Sequence, residues 1–584
     1  MATKSTAAKN ELLIKNGFVY DPAQGVKGDV KDIAVKDGKI VEASKLSTKA
    51  KVIDAKGKIV MPGGIDPHTH VAGPKVNVGR MFRPEDKLHD PNMRTRTDLL
   101  RSGGGFSVPS TFETAYRYAR LGYTYANEAA MPPLLARHTH EEIHDTPILD
   151  QTAFTLLGNN WLVMEYIKKN QPENLDAYVA WILKATKGFA VKIVNPGGTE
   201  AWGWGKNCTD LDDSVPYFDI TPKEIIRGLA ESNERLGLPH SIHLHGNNLG
   251  HPGNYTTMLK TMALTEGLKT NKKSGRAQNM HVTHMQFNSY GGTAWKDFYS
   301  AADKIADYVN SHDHLTIDVG FVTLDETTTM TADGPFEYVL HSTNHLKWGN
   351  VDVELETGSG VVPFIYDPKN HVFGLQWATG MDLALLVKDP WKCFMTTDHP
   401  NAGPFTRYPF IAAWLMSKKA RDGRLDTLHK WVRERSKVSE ISRELSFSDI
   451  ATMTRAGPAK ALGIAKTKGH LGVGADADVS IYSFNPKTQD STQDTDGLIH
   501  AFSDAAYTIK AGEIVVKDGE VVSLGQPKNT VWTDADGFNN KQVASDIVEK
   551  FLKYYSLQLN NYPVQENFAP HQVVYKAGPL AGGN

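Results

Sequence analysis

Two cysteines in 584 residues, Cys208 and Cys393, cannot build a disulfide framework, and neither sits in a CxxC pair of the kind that holds zinc or an iron–sulfur cluster. Any electron-transfer centre linked to this chain is therefore expected on another polypeptide. No stretch approaches the ~18 uncharged apolar residues of a membrane helix, and Met1–Asn10 lack the apolar run of a secretory signal. A cytoplasmic location follows as the expectation. Charge of one sign is also missing. The 64 basic and 66 acidic side chains leave a formal charge of −2, which removes the electrostatic footprint of a nucleic-acid binder. Neither a short-period repeat nor a low-complexity tract is present. What remains is a soluble globular composition, 40% hydrophobic and 22% charged, long enough for a large core and for one or more domains. Histidine is plentiful, 22 in all with several in close pairs, and that directs attention to metal chemistry.

The first segment, ELLIKNGFVYDPAQG, DIAVKDGKIVEAS and KVIDAKGKIVMPGG, reads as short alternating strands broken by Gly and Asp-Gly turns. The same texture returns in GHLGVGADADVSIYSF and AAYTIKAGEIVVKDGEVVSLG, so the two chain ends are expected to share one sheet. Between about Gly64 and Ala456, β-rich runs such as FAVKIV, HSIHLH, MHVTHMQF, HLTIDVG and KCFMTTD alternate with amphipathic helical stretches. Repeating βα units imply a parallel sheet, either a barrel or a doubly wound sheet. One helix announces its start, with Thr221 as N-cap, Pro222 at N1 and Glu224 at N3. The run KQVASDIVEKFLKYYSLQLNNYP reads as a helix that Asn560 and Pro563 stop.

The strongest local signal is MPGGIDPHTHVAG, where His68 and His70 follow a strand beginning at Ile65. Residues i and i+2 of a strand project to one side, so two imidazoles can grip one divalent ion. Four further ionisable residues lie near the ends of later strands: Lys192, His245, His284 and Asp398, at separations of 122, 53, 39 and 114 residues counted from His70. If one βα unit takes about 40 to 55 residues, above the ~30-residue minimum, the set falls on strands 1, 4, 5, 6 and 8. The mouth of a barrel at its C-terminal face could collect them all. His243 belongs to a second HxH pair and His281 precedes His284 by three residues, so spacing alone leaves either open as an alternative ligand.

GGIDPHTH, the strand-4 lysine, one histidine on each of strands 5 and 6, the strand-8 aspartate and GHLGVGADADVSIY together resemble the amidohydrolase superfamily. Within it, the runs GPKVNVGRMFRPED, AMPPLLARHTHEE, VKIVNPGGTEAWGWGKN, LPHSIHLHGNNLGHPGNY, MTADGPFEY, DVELETGSGVVPF and TTDHPNAGPFTRYP resemble the family of formylmethanofuran dehydrogenase A subunits. The resemblance implies an α/β fold: a (β/α)8 TIM barrel over residues 63–456, a small β-sandwich from residues 1–62 and 457–535, and a C-terminal helical extension over 536–584. It also implies a binuclear zinc site, with His68, His70 and Asp398 on the first ion, His245 and His284 on the second, and N6-carboxylated Lys192 bridging the two. Lys192 fits physically, because an ammonium beside two dications is strongly disfavoured unless it loses its charge.

The implied reaction condenses formate with the primary amine of methanofuran to N-formylmethanofuran, and reverses it by hydrolysis, in methanogenesis. Asp398 is the implied proton carrier. Formate would come from CO2 at a tungsten or molybdenum pterin centre on an iron–sulfur partner subunit of the same complex. Asn247 and Arg407 are candidates for holding a formyl oxygen or an acidic tail, Trp202, Trp204 and Tyr217 for lining a channel, and Lys75, Arg80 and Arg83 for binding carboxylates unless they merely line a solvated loop. Competing readings are the A subunit of a bacterial formyltransferase/hydrolase complex that releases formate, a free-standing cyclic amidase, and a non-catalytic scaffold built on a degenerate barrel.

Overall fold

The computed structural model describes residues 11–349, 360–525, 528–535 and 540–577. Met1–Asn10 and most of the run DVELETGSG lie outside these residues. The alternating N-terminal segment forms the strands Glu11–Asp21, Val26–Lys36, Lys39–Val41, Lys51–Asp54 and Ile59–Pro62. Asp37 and Gly38 both take positive φ, 51° and 77°, as a type I′ hairpin turn demands; Asp518 and Gly519 repeat the device at 49° and 76°. The strand Val479–Tyr482 runs antiparallel to Ile59–Pro62, and Tyr507–Lys510 and Glu513–Lys517 extend the sheet beyond it. The two chain ends therefore close one apolar cluster, in which Ile14, Val35, Val60, Val479 and Ile481 are all fully buried.

Eight strands of the intervening chain lie parallel in sequence order: Gly64–Thr69, Tyr123–Met131, Asp150–Leu156, Ala190–Val194, Ile242–His245, Met280–Val282, Leu315–Asp318 and Cys393–Phe394, here barrel strands 1 to 8. The seam between strands 8 and 1 is joined by a bridge from Thr69 to His399 and by the His70 amide donating to the His399 carbonyl at 2.6 Å. The sheet is a nearly closed (β/α)8 barrel. Its strands read as continuous apolar runs because helices cover the outer face while side chains fill the interior; all five residues of strand 4 are buried. The helix Pro222–Leu236 starts with a complete Thr221–Glu224 capping box and ends on Gly237 in the left-handed conformation.

Three features go beyond the simple alternation. Between strands 7 and 8 the chain inserts an antiparallel pair, Glu326–Thr329 with Val362–Ile365, and the helix Gly334–Asn344. The strand Thr530–Ala535 leaves the chain-end sheet and pairs with barrel strand 3 through Thr530 and Gln151; Gln572–Ala577 then pairs with it in parallel. The C-terminal helix stops at Tyr554, short of Asn560 and Pro563, because Tyr555 turns to extended geometry and stacks on Trp161 and Phe551. Barrel and chain-end sheet are clamped by a buried charge network: Lys468 Nζ lies 2.5 Å from Asp150 and 2.6 Å from Asp478, and Lys510 Nζ lies 2.9 Å from Asp150.

Candidate metal centre

His68 lies near the end of strand 1 and His70 just past it, and alternation sends both imidazoles to one side. Their Nε2 atoms converge on one oxygen, Asp398 Oδ1, at 2.9 and 3.2 Å. Asp398 arrives from the turn after strand 8, held at φ 49°, a conformation that aspartate tolerates better than most residues. Its Oδ1 also accepts from Asn401 Nδ2 at 2.9 Å. Burial opposes its ionisation, but His68 and His284 outweigh that effect and hold the carboxyl well below the ordinary range.

Lys192 sits in strand 4, in register with Leu156 on one side and His243 on the other, and is 1% exposed. Its Nζ has no hydrogen-bond partner, and burial draws the ammonium from 10.5 down to about 7. His245 closes strand 5; its Nε2 donates to Asp333 at 2.9 Å, which leaves the Nδ1 lone pair free. His284 follows strand 6 in the left-handed region at φ 36°, its amide donating to Asp318 Oδ1 at 2.8 Å and its Nδ1 without a partner. Gly320 makes this possible, since a Cβ there would lie 2.3 Å from that of His284. The rings of His245 and His284 lie 4.6 Å apart and those of His68 and His284 5.4 Å apart. Burial pulls His68 down to about 4 and lowers His245 and His284, so these three imidazoles are neutral at pH 7, the state a metal ligand requires.

Among the described residues, two trios bring ligand atoms within 4.8 Å of one another, His68–His284–Asp398 and His68–His243–Asp318. Hydrogen bonding separates them. In the second trio, Asp318 accepts from the His284 amide, Thr396 Oγ1 and His281 Nε2, and both ring nitrogens of His243 are engaged. In the first, His68 Nε2 and His70 Nε2 face an anionic oxygen while Lys192 Nζ and His284 Nδ1 are orphaned in a buried site, where unpaired polar atoms are costly. Neutral nitrogens facing carboxylate oxygen are the donor set of a borderline divalent ion, so the first trio with Lys192 and His245 fits a metal pair. His243 and His281 sit deeper, hydrogen-bonded to His68 and to Asp318.

Asn247 Nδ2 is committed to the Asn195 side chain at 2.9 Å and to the carbonyls of Pro196 and Cys208 at 3.0 Å, while its buried Oδ1 has no partner. Arg407 forms a two-pronged pair with Asp325 at 2.9 and 2.6 Å and packs between the rings of Phe106 and Phe410. Trp204 and Tyr217 meet at the surface with ring centroids 4.5 Å apart, 54% and 82% exposed. The basic trio after strand 1 is no solvated loop. Lys75 is buried against the Met330 carbonyl, Arg83 reaches the Thr327 carbonyl, and Arg80 pairs with Glu142 at 2.7 Å.

Two carboxylates escaped the sequence reading. Glu128, on strand 2, accepts the amides of Val71 and Ala72 at 2.8 and 2.9 Å and faces His70 Nδ1 at 3.2 Å. Asp333 joins His245 to Asn195 while capping the helix Gly334–Asn344. Each of these two histidines thus has a carboxylate partner that fixes which nitrogen points inward. The signals were present: a lone carboxylate inside the apolar run YANEAAM, and an Asp directly before GPFEY.

The amidohydrolase family profile matches residues 51–516. Over 565 residues the chain is 58% identical to protein FwdA of Methanocaldococcus jannaschii, covering 96% of this chain and 97% of that one. It is 34% identical over 545 residues to the A chain of the formyltransferase/hydrolase complex Fhc of Methylorubrum extorquens, covering 92% and 94% of the two chains. The crystal structure of that organism's FhcABCD complex with methylofuran contains a chain that superposes with a TM-score of 0.87 at 32% identity, over 98% of this chain and all of the other.

Proposed function

We propose a function from the premise that this chain belongs to the amidohydrolase family: it condenses formate with the primary amine of methanofuran to N-formylmethanofuran, and hydrolyses that formamide in reverse, as one subunit of a larger complex. The observation that carries this reading is the convergence of His68 and His70 on Asp398 Oδ1, beside the orphaned and part-neutral amine of Lys192.

His68, His70 and Asp398 would hold one Zn²⁺ and His245 and His284 a second, with Lys192, carboxylated on Nζ, as the ligand common to both. Carboxylation turns the one buried cation of the set into an anion and removes the cost of an unpaired ammonium. A bound cation pair supplies Lewis acidity to the formyl or formate oxygen and offsets the oxyanion charge of the tetrahedral intermediate. Asp398 carries the protons. It takes one from the attacking amine and delivers it to the departing oxygen, and in hydrolysis it moves one from water to the leaving amine. It is an anion at neutral pH, as a group that accepts the first proton must be. Glu128 and Asp333 hold His70 and His245 in orientation.

A cavity of about 200 Å³, lined by Leu249, Phe336, Phe364, Tyr366 and Phe373, opens among the loops after strands 5 and 7 and suits the aromatic part of the amine substrate. Asn247 Oδ1, buried and unpaired, is a candidate acceptor for the substrate's N–H, and Arg407 a candidate for its acidic tail. Formate is supplied by a partner subunit that holds a tungsten or molybdenum pterin and iron–sulfur clusters. The exposed apolar side chains of Val78, Met81, Leu88, Met93 and Leu99, close in sequence after strand 1, offer a surface for such a partner. No helix among the described residues is long and apolar enough to cross a membrane, and we place the complex in the cytoplasm.

The test is Asp398→Asn in the intact complex. Deformylation should fall by about 10²–10⁴-fold, the worth of a positioned proton carrier, while the subunits still co-elute. Wild-type turnover would remove Asp398 from the mechanism. Co-purification of a pterin and iron–sulfur subunit supports CO2 reduction as the upstream step; a complex without one indicates formate release, as in the competing bacterial reading.

A further inference from the structure

A row of imidazoles runs through the barrel interior from its N-terminal end to the mouth. It begins at a backbone carbonyl. Ala461 O, at the end of the helix Gly457–Ala461, accepts from His240 Nδ1 at 2.7 Å and from Gln278 Nε2 at 2.9 Å. His240 Nε2 lies 3.0 Å from His243 Nδ1, and His243 Nε2 lies 2.7 Å from His68 Nδ1. Nothing in the reaction assigned above uses His240 or His243.

The direction of every bond in this row follows from its first member. A carbonyl oxygen only accepts, so His240 carries its proton on Nδ1. A neutral imidazole has one N–H, so His240 Nε2 is a bare acceptor and His243 Nδ1 must donate to it. His243 Nε2 is then bare in turn, and His68 Nδ1 must donate. That leaves the lone pair of His68 on Nε2, the nitrogen 2.9 Å from Asp398 Oδ1. The reverse tautomer anywhere in the row would press two lone pairs or two protons together. Both His240 and His243 are buried, with a carbonyl or another imidazole and not a carboxylate at each ring nitrogen, so the row is neutral throughout. The rings have no other freedom: Phe154 stacks on His240 at 5.1 Å and His281 on His243 at 4.6 Å. Thr283 Oγ1 also approaches His68 Nδ1 and shares the same proton as a second acceptor.

The geometry points to His240 and His243 as positioning residues that transmit the polarity of the Ala461 carbonyl through three imidazoles and so fix His68 with its Nε2 lone pair turned to the metal site. Glu128 and Asp333 do this for His70 and His245 with a single carboxylate each. For His68 the nearest carboxylate to Nδ1 is Asp318 Oδ2 at 3.7 Å, beyond hydrogen-bond reach, so the tautomer is set by the row instead. The inference rests on His68 being a metal ligand, as proposed above.

The experiment titrates zinc into the chelator-stripped complex by competition with a chromophoric chelator, in wild type, His240→Gln and His240→Phe. Glutamine keeps an acceptor for His243 Nδ1; phenylalanine keeps the ring against Phe154 but offers none. His240→Phe should bind zinc about 10–100-fold more weakly, the usual cost of losing an orienting partner, while His240→Gln stays near wild type and the stripped proteins melt together. ¹⁵N-histidine spectra of the wild type, assigned by difference against the variants, should show His240 and His243 both protonated on Nδ1. Wild-type zinc affinity in folded His240→Phe, equal loss in both variants, or an Nε2–H tautomer at His243 overturns the row while the metal site stands. A wild-type complex that binds no zinc overturns the row and the metal site together.

Discussion

Lys192 gives the most direct access to the chemistry of the site, because its protonation state is set by burial and its proposed modification needs the free amine. The ammonium is wholly buried, has no hydrogen-bond partner and titrates at about 7 instead of 10.5. The fraction present as amine is then ~10% at pH 6, ~50% at pH 7 and ~90% at pH 8, against well under ~1% at pH 8 for an ordinary lysine. The drop from 10.5 to about 7 corresponds to a net ~5 kcal/mol against the charged form, burial outweighing the attraction of Asp398 and Asp318. For stability the sign is fixed by proton counting. The unfolded chain binds the extra proton between about 7 and 10.5, so the stripped protein gains stability as pH rises through that window.

The assay strips the complex with chelator in CO2-free buffer, then adds zinc with or without bicarbonate at pH 6, 7 and 8, and counts bound metal by mass spectrometry. Burial lowers His68, His245 and His284, His68 to about 4. His70 is different: burial opposes its protonation, but Asp398 and Glu128 outweigh it and raise its pKa, so the arms with and without bicarbonate are compared at one pH, where His70 is the same in both. The bicarbonate dependence at each pH therefore reads Lys192, and it should rise along the amine fraction. Lys192→Ala should lose both metal and bicarbonate dependence, with partial return on adding a short carboxylate. Two zinc ions bound equally well without CO2, or in Lys192→Ala without rescue, would refute a bridging carbamate.

Other consequences are open to simple measurement. Glu128→Gln keeps the size of the side chain but not its charge on His70; zinc affinity in chelator competition should drop by about 10–100-fold with little change in melting temperature. Lys468→Ala leaves Asp150 and Asp478 with Lys510 as their remaining buried cation. The expected loss is ~3–5 kcal/mol, read by denaturant unfolding and by earlier proteolysis between the chain-end sheet and the barrel. Asp382 is buried in the helix before barrel strand 8, with Ser300 and the Lys437 amide on one oxygen, and burial pushes it up to about 7. A raised acid makes the folded state bind the extra proton between 3.8 and about 7, so stability falls as pH climbs through that range. Asp382→Asn should flatten the profile and gain at most ~4 kcal/mol above pH 7; an unchanged profile counts against a raised pKa at Asp382.

The local sequence carried everything that depends on neighbours along the chain. Asp37-Gly38 and Asp518-Gly519 specify their turns because φ > 0 at two successive positions suits few other residues. Thr221 and Glu224 cap a helix through reach alone. His68 and His70 share a side because a strand repeats every two residues. Even the grouping of Lys192, His245, His284 and Asp398 was legible, since each stands on a parallel strand or just past its C-terminal end and a barrel has one such mouth. Tertiary structure alone decided which nitrogen of each histidine is available. That depends on partners 58, 88 and 175 residues away, Glu128 for His70, Asp333 for His245 and His243 for His68. It also decided that Lys75 and Arg83 are buried, that Thr530–Ala535 joins the barrel side, and that the C-terminal helix ends where Tyr555 finds Trp161. Spacing along a strand fixes direction. Burial, charge and the single proton of a neutral imidazole are set by whatever the fold brings alongside.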